Sequence, residues 1–378
     1  MNRRKFFIDF SAVLVIGVFL LMSFPLLIKP SVLSHSKMIL KDNNETDSEH
    51  GGQCTIFTVV YGNIVLFGNN EDHYGTKLMV SVQPSSDEGY GYIGVGYWEP
   101  IVWQGRINFR ITPDGLMNDQ GVACDWNSVP PVSMNEHPEK PQFHLGQKIA
   151  REAANVTEAI ELAKNWNPGG SLNGQLHVAD ASGDAVIIGP GSDGELVFTR
   201  KRQGNSYLVS TNFNRAIPSQ ANSADAYDRY DTAEEMLKEI KREEDLTVKR
   251  VTSILDVVHF EAWNCYTLYS YVFNPQNKTI YMYYMAQFDV PVKLNLMEEL
   301  AKGDRWIKME NIFPPEIGER GLARYDAARS KLVLIGGILL LGIIMDLILI
   351  TLVVFLGIKR IWRYLKKEEE DHERSRKI

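Results

Sequence analysis

The chain has little cysteine, no surplus of positive charge and no internal repeat. Three cysteines in 378 residues, Cys54, Cys124 and Cys265, cannot build a disulfide framework. They allow one pair and one free thiol at most, with Cys54 the odd one out because its downstream surroundings are the most polar. Forty Lys and Arg against 47 Asp and Glu give a net charge of -7, which offers no electrostatic footprint for nucleic acid. No P-loop, GxGxxG fingerprint or zinc-finger spacing occurs, so neither nucleotide, cofactor nor metal is expected. None of the eight His stands in a Cys-protease context; His144, His177 and His259 read as ordinary structural or surface residues.

Long uncharged runs are confined to two places. Phe10 to Ile28, "FSAVLVIGVFLLMSFPLLI", follows Arg3, Arg4 and Lys5 and is long enough for one bilayer crossing of roughly 20 residues. It reads as an anchor or as a cleavable signal, within a first segment 1–29. Leu332 to Ile358 is a second span, followed by Lys359, Arg360, Arg363, Lys366 and Lys367 and a charged tail 359–378. Basic residues on the outer side of both spans put both termini in the cytoplasm before any processing. The middle of the chain is then extracytoplasmic, a side that the sequons at Asn44, Asn155 and Asn277 fit. Asp346 interrupts the second span; it reads as a contact for a partner helix or as a carboxyl neutralised by protonation.

Residues 30–53 are polar and featureless, a linker or propeptide. Strand signals begin at Cys54. "TIFTVVYG" and "NIVLFG" form a hairpin about Gly62-Asn63. "KLMVSVQP" and "YGYIGVGYW" are further strands, and "GRINFRITPDGLMNDQGVACDW" predicts two more around a Pro-Asp-Gly turn. Two helical segments meet near Asn155, where Asn155 and Glu158 form a start signal. Strands return through "GQLHVADASGDAVIIGPGSDGELVFTR" and "SYLVSTNF". Helices follow over Ser223–Arg242 and Val248–Val258, then a hairpin about Asn274–Lys278. Blocks of strands alternating with pairs of helices predict an α+β fold of antiparallel sheets with helices outside, over residues 54–325.

A thiol is the strongest side-chain nucleophile, but it needs a base. If the chain is cut before Cys54, the freed α-amine, whose ordinary pKa is about 7.7–8.0, lies within reach of its own sulfur. Gly51-Gly52-Gln53 is a lead-in that could bend for such a cut. Four blocks then resemble the N-terminal-nucleophile (Ntn) cysteine hydrolases of the choloylglycine hydrolase, penicillin V acylase and acid ceramidase group. They are Cys54-Thr55 leading to Gly68-Asn69-Asn70-Glu71-Asp72; Gly115 to Val122 reaching Asn127; Thr211-Asn212 at a strand end; and Arg229 in "YDRYD". The resemblance implies a four-layer αββα sandwich, no cofactor, and hydrolysis of a linear amide of N-acylated or lipid-like type. It implies Cys54 as nucleophile, Asp72 orienting its amine, Asn127 and Asn212 around the oxyanion and the amine, and Arg229 as a structural or electrostatic partner. Asn69 and Asn70 fall at substrate-binding positions. Asn69 departs from the group, whose bile-salt and penicillin V members carry Arg there; Asn supplies no guanidinium charge, so their substrate preferences do not carry over. Read without the resemblance, Cys54 is a buried strand thiol and Arg229 a surface helix residue paired with Asp225 or Asp228. The function is then that of a non-catalytic ectodomain for binding or assembly. A Cys124–Cys265 disulfide is also open.

Overall fold

A computed structural model describes residues 54–73, 77–103, 106–262 and 265–375. The first span, the lead-in to Cys54 and the sequon at Asn44 lie outside these residues. The chain enters through β1 (Thr55–Tyr61) and returns through β2 (Ile64–His73), with Gly62 at φ 56 in the connecting turn, a conformation glycine adopts without a Cβ clash. These two strands sit in a six-stranded antiparallel sheet with β10 (Tyr207–Ser210), β11 (Tyr266–Asn274), β12 (Thr279–Tyr284) and β13 (Val292–Asn295), in the order β10-β1-β2-β11-β12-β13. The second sheet runs β14-β3-β4-β5-β6-β7-β8-β9. Its members are β3 (Leu78–Gln83), β4 (Tyr92–Trp103), β5 (Arg106–Asn118), β6 (Ala123–Ser133), β7 (Ser171–Ala179), β8 (Ala185–Pro190), β9 (Leu196–Arg200) and β14 (Arg305–Lys308).

Strand alternation explains the layering. Ile56 and Phe67 join Val80, Val95, Met117 and Tyr271 in a core between the sheets. Their neighbours Phe57 and Leu66 point the other way, into a core with Leu237, Val251, Ile254 and Leu255 of α3 (Asp225–Lys238) and α4 (Val248–Val257). On the far side, Leu116, Cys124, Leu176 and Ile188 pack under Leu145, Ile149, Ala159 and Ala163 of α1 (Leu145–Glu152) and α2 (Val156–Lys164). The result is helices, sheet, sheet, helices. Each fully buried Leu, Ile or Phe contributes roughly 1.5–3 kcal/mol of transfer free energy. Asn155 caps α2, its side chain accepting from the Glu158 N–H, as the start signal predicts.

One expectation needs correction. The Pro-Asp-Gly triplet is not a turn. Pro113, Asp114 and Gly115 lie inside β5, where Val95 pairs with Gly115 and Gly96 with Pro113, leaving Asp114 as the extra residue of a bulge. A bulge accepts a proline because the ladder is interrupted there, and the reversal falls instead at Gly121, φ 90. After the β11–β12 hairpin the domain closes through β13, α5 (Leu296–Ala301) and β14, elements not individually expected within residues 54–325. These strands are four residues each and lie at sheet edges, so pairing with distant partners defines them more than local propensity does.

The last element, α6 (Pro315–Ser375), is a single helix of 61 residues. At its start, Ile317 and Tyr325 are buried in the domain's central core. From Leu341 onward its apolar side chains, among them Leu347, Ile350, Phe355 and Ile358, are exposed. Over Leu341–His372 it is long and apolar enough to cross a membrane. No disulfide links the three cysteines among the described residues, so Cys124 and Cys265 are not bridged.

Candidate active site

β2 divides the polar cluster at its end by parity. Asn69 and Glu71 share the side of Phe67 and face the opposite sheet, whereas Asn70 and Asp72 share the side of Leu66 and face the helices. Asn70 therefore does not belong to a substrate surface. Its amide donates to the Leu255 carbonyl at the end of α4 at 2.7 Å and accepts from Ser270 Oγ at 2.7 Å, which ties α4 and β11 to β2. Asn69, across from Tyr271 in the β2–β11 pairing, is fully buried with neither amide atom hydrogen-bonded within the described residues.

Cys54 stands immediately before β1 and is buried. Its Sγ donates to Glu71 Oε2 at 3.3 Å, and the backbone N–H of Asp72 also points to the sulfur. Burial, then the charges of Glu71 and Asp72, holds the thiol well above its ordinary range. Asp72 accepts from Thr267 Oγ1 through Oδ1, while Oδ2 has no partner among the described residues. Burial outweighs the opposing pull of Arg229 and Thr267, and the carboxyl is pushed up to about 7.

Arg229 sits on the inner stripe of α3 with Ala226, Ala233 and Leu237, a helical i, i+3, i+7, i+11 spacing. At 5% exposure it is not a surface residue. Its Nη1 donates to the Cys54 carbonyl at 2.9 Å and to Thr55 Oγ1 at 2.8 Å; Nη2 reaches Asn212 Oδ1 at 3.0 Å; Nε pairs with Asp225 at 2.8 Å. One guanidinium fork thus clamps the start of β1 to the chain beyond β10. The alternative pairing with Asp225 is also present, but as the outer arm of this buried network. Asn212 donates its amide to the Ser128 carbonyl at 3.0 Å and to Ser128 Oγ at 3.1 Å, which commits both hydrogens to β6. Both of these contacts of the Asn212 amide nitrogen therefore go to Ser128. Asn127 on β6 differs: it is fully buried, and neither amide atom is hydrogen-bonded within the described residues.

Four further participants escaped sequence reasoning: Glu71, Tyr97, Asp125 and Tyr271. Glu71 Oε1 accepts from Tyr97 Oη at 2.9 Å, and Asp125 accepts from Tyr271 Oη. Strand parity was the available signal for Glu71, since it places positions 69 and 71 together on the face opposite Asp72. His177 is structural: neutral and buried, it is bracketed by Thr58 and Ser210 at 3.0 Å each, and burial pushes it down to about 3. His144 caps α1, and His259 stands between Asp256 and Glu261. No group of three or more His, Cys, Asp or Glu among the described residues could hold a metal ion.

Two solved structures of conjugated bile acid hydrolase from Clostridium perfringens, a cysteine-to-alanine variant and an arginine-to-leucine variant, align over 67% of this chain and 95% and 96% of theirs, each with TM-score 0.51 and 13% identity. The fold is that of an Ntn hydrolase. Penicillin V acylase from Agrobacterium tumefaciens aligns over 68% of this chain and 86% of its own at 17% identity, TM-score 0.49. No family model and no curated protein matches the chain in sequence. β1 and β2 are interior strands of their sheet; Cys54 lies just before β1, and Asp72, near the end of β2, pairs with Thr267 of β11.

Proposed function

We propose that this chain is a membrane-anchored hydrolase of linear, non-peptide amide bonds, with Cys54 as an N-terminal nucleophile after cleavage of Gln53–Cys54. The observation that carries the reading is the clamp of Arg229 on the Cys54 carbonyl, Thr55 and Asn212, which fixes one thiol-bearing residue at the head of a central strand. The unpartnered Oδ2 of Asp72 supports it. A freed α-amine at Cys54, once it has taken a proton and become an ammonium, would give that buried carboxyl oxygen a cation and lower its pKa again. The amine takes the thiol proton as sulfur attacks the amide carbonyl, then returns it to the departing amine; water releases the acyl group from the thioester. Asn127 is the oxyanion donor, and such a donor in a dry site is worth roughly 3–4 kcal/mol on the transition state. Cys54, Asp72 and Asn127 are the catalytic groups, and Arg229 and Asn212 position them.

The substrate is a small amide, of N-acyl type where it is drawn from a lipid surface. Anchoring rests on α6, whose exposed apolar stretch precedes Lys359, Arg360 and Arg363. In this arrangement the hydrolase domain is extracytoplasmic, both termini begin in the cytoplasm, and the C-terminal helix retains the enzyme after the cut. A cysteine-directed acyl probe tests the chemistry. Processed protein should carry the label on the Cys54 peptide and hydrolyse at least one N-acyl amide, and Cys54→Ala should lose both. Folded, processed protein that takes no label and turns over no amide would instead be a non-catalytic binding ectodomain.

A further inference from the structure

The chemistry above leaves Glu71 without a role, although its carboxyl touches the sulfur. Glu71 is buried between the sheets, 3.3 Å from Cys54 Sγ and 2.9 Å from Tyr97 Oη. Asp125 approaches from β6, fully buried, held by Tyr271 Oη and the Trp126 N–H at 2.6 Å. After burial itself, the strongest influences on Glu71 are the charges of Asp114 and Asp125, both acids. Burial and mutual repulsion favour the protonated form of these carboxyls, and a cation that joins them lets them ionise.

A second, independent observation points the same way. The Asn69 amide, fully buried and unpartnered within the described residues, lies on the same strand face as Glu71 and directly across from Tyr271. Tyr97, Tyr269 and Tyr271 form a continuous aromatic wall beside these acids, with ring centroids 6.4 and 6.3 Å apart, and the Tyr269 hydroxyl is also unpartnered within those residues. Carboxylates, aromatic faces and an open amide oxygen recognise an organic ammonium group.

We propose that Glu71, Asp125 and Asn69 form a subsite for a positively charged ammonium group on the substrate. It rests on Cys54 being the reacting group. Because Glu71 contacts the sulfur directly, the ammonium sits about two to four bonds from the scissile carbonyl carbon, given bond lengths of about 1.5 Å. An arriving cation favours the ionised carboxyls, so the ion pairs form as the substrate seats.

The test uses full-length protein in detergent and three methanethiosulfonates of similar size: trimethylammonioethyl, ethyl and sulfonatoethyl. The rate at Cys54 is followed by mass spectrometry of its peptide and divided by the rate for free cysteine. The cationic reagent should exceed the anionic one by at least about tenfold after this correction, the range expected for a cleft lined by one sign of charge. Glu71→Gln and Asp125→Asn should each reduce that ratio several-fold; the two variants check one another, and a thermal melt confirms that each folds. In a second arm, an N-acyl amide ending in an ammonium should be hydrolysed with at least about tenfold higher kcat/KM than its methyl-ended isostere, and Glu71→Gln should remove the preference through KM. A corrected ratio near one, or no cationic modification of Cys54 at all, overturns the subsite whatever the hydrolysis shows. A high, Glu71-dependent ratio without turnover of either amide keeps the subsite and removes the hydrolase reading.

Discussion

Arg229→Met removes the clamp at the head of β1 while keeping most of the side chain's volume. Three of its contacts are buried: the Cys54 carbonyl, Thr55 Oγ1 and Asn212 Oδ1, at 2.8–3.0 Å. Hydrogen bonds from a charged donor contribute roughly 1.5–3 kcal/mol each, but they are not additive, and the substitution also strands buried acceptors. Asp225 adds less than about 1 kcal/mol, because its side chain is 39% exposed and solvent screens the pair. The net expectation is a loss of about 3–5 kcal/mol, the range for breaking a buried charged network. For a domain of this size that lowers the melting temperature on the order of 10 °C. Arg250→Ala is the control: its ion-pair partner Glu239 is 70% exposed, so the loss should stay under about 1 kcal/mol. Differential scanning fluorimetry of the two variants in one detergent decides it. Arg229→Lys, which keeps the charge without the fork, should fall between them. An Arg229→Met shift no larger than that of Arg250→Ala would refute the clamp.

Three further outcomes follow from the geometry. Asp125 is pushed up to about 7 by burial, so in the folded state it stays protonated where the unfolded chain ionises near 3.9. Its contribution to stability is complete below about pH 4 and is lost as pH rises through 7; Asp125→Asn should therefore gain stability relative to wild type between pH 5 and pH 8, by up to a few kcal/mol, and a constant melting-temperature difference would contradict this. At Gly115 an added Cβ would lie 2.1 Å from Tyr271 Oη, on a ring stacked 3.9 Å from Phe273, so Gly115→Ala should destabilise by at least about 2 kcal/mol in chemical unfolding and be partly rescued by Tyr271→Phe. Asn70→Ala, which removes two buried hydrogen bonds, should cost about 2–3 kcal/mol, whereas Asn69→Ala, whose amide is unpartnered within the described residues, should be close to neutral; equal effects in parallel melts would undermine the split of β2 into two faces.

Much of the layered fold was legible because period and turn chemistry are local. The Gly62-Asn63 hairpin, the Asn155 cap and the Asn274–Lys278 hairpin each follow from residues within a few positions. What was not legible depends on distant partners. β14 is a strand because β3 lies beside it, more than two hundred residues earlier in the chain. Pro-Asp-Gly is sound turn chemistry, but two-stranded pairing with β4 draws it into a bulge. The site divides in the same way. Cys54, Asp72 and Asn127 were named from motif order, whereas the commitment of Asn212 to Ser128 and of Asn70 to α4 needed the folded neighbours. Glu71 was hidden for another reason: a motif with an open position says nothing about the residue that fills it.

The mechanism depends most on whether Cys54 acquires a free α-amine. Intact-mass analysis and N-terminal sequencing of purified, active protein read this directly. The mechanism predicts a mature chain beginning Cys54-Thr55-Ile56, absent in Cys54→Ala. Active protein in which the Gln53–Cys54 bond is intact would contradict it.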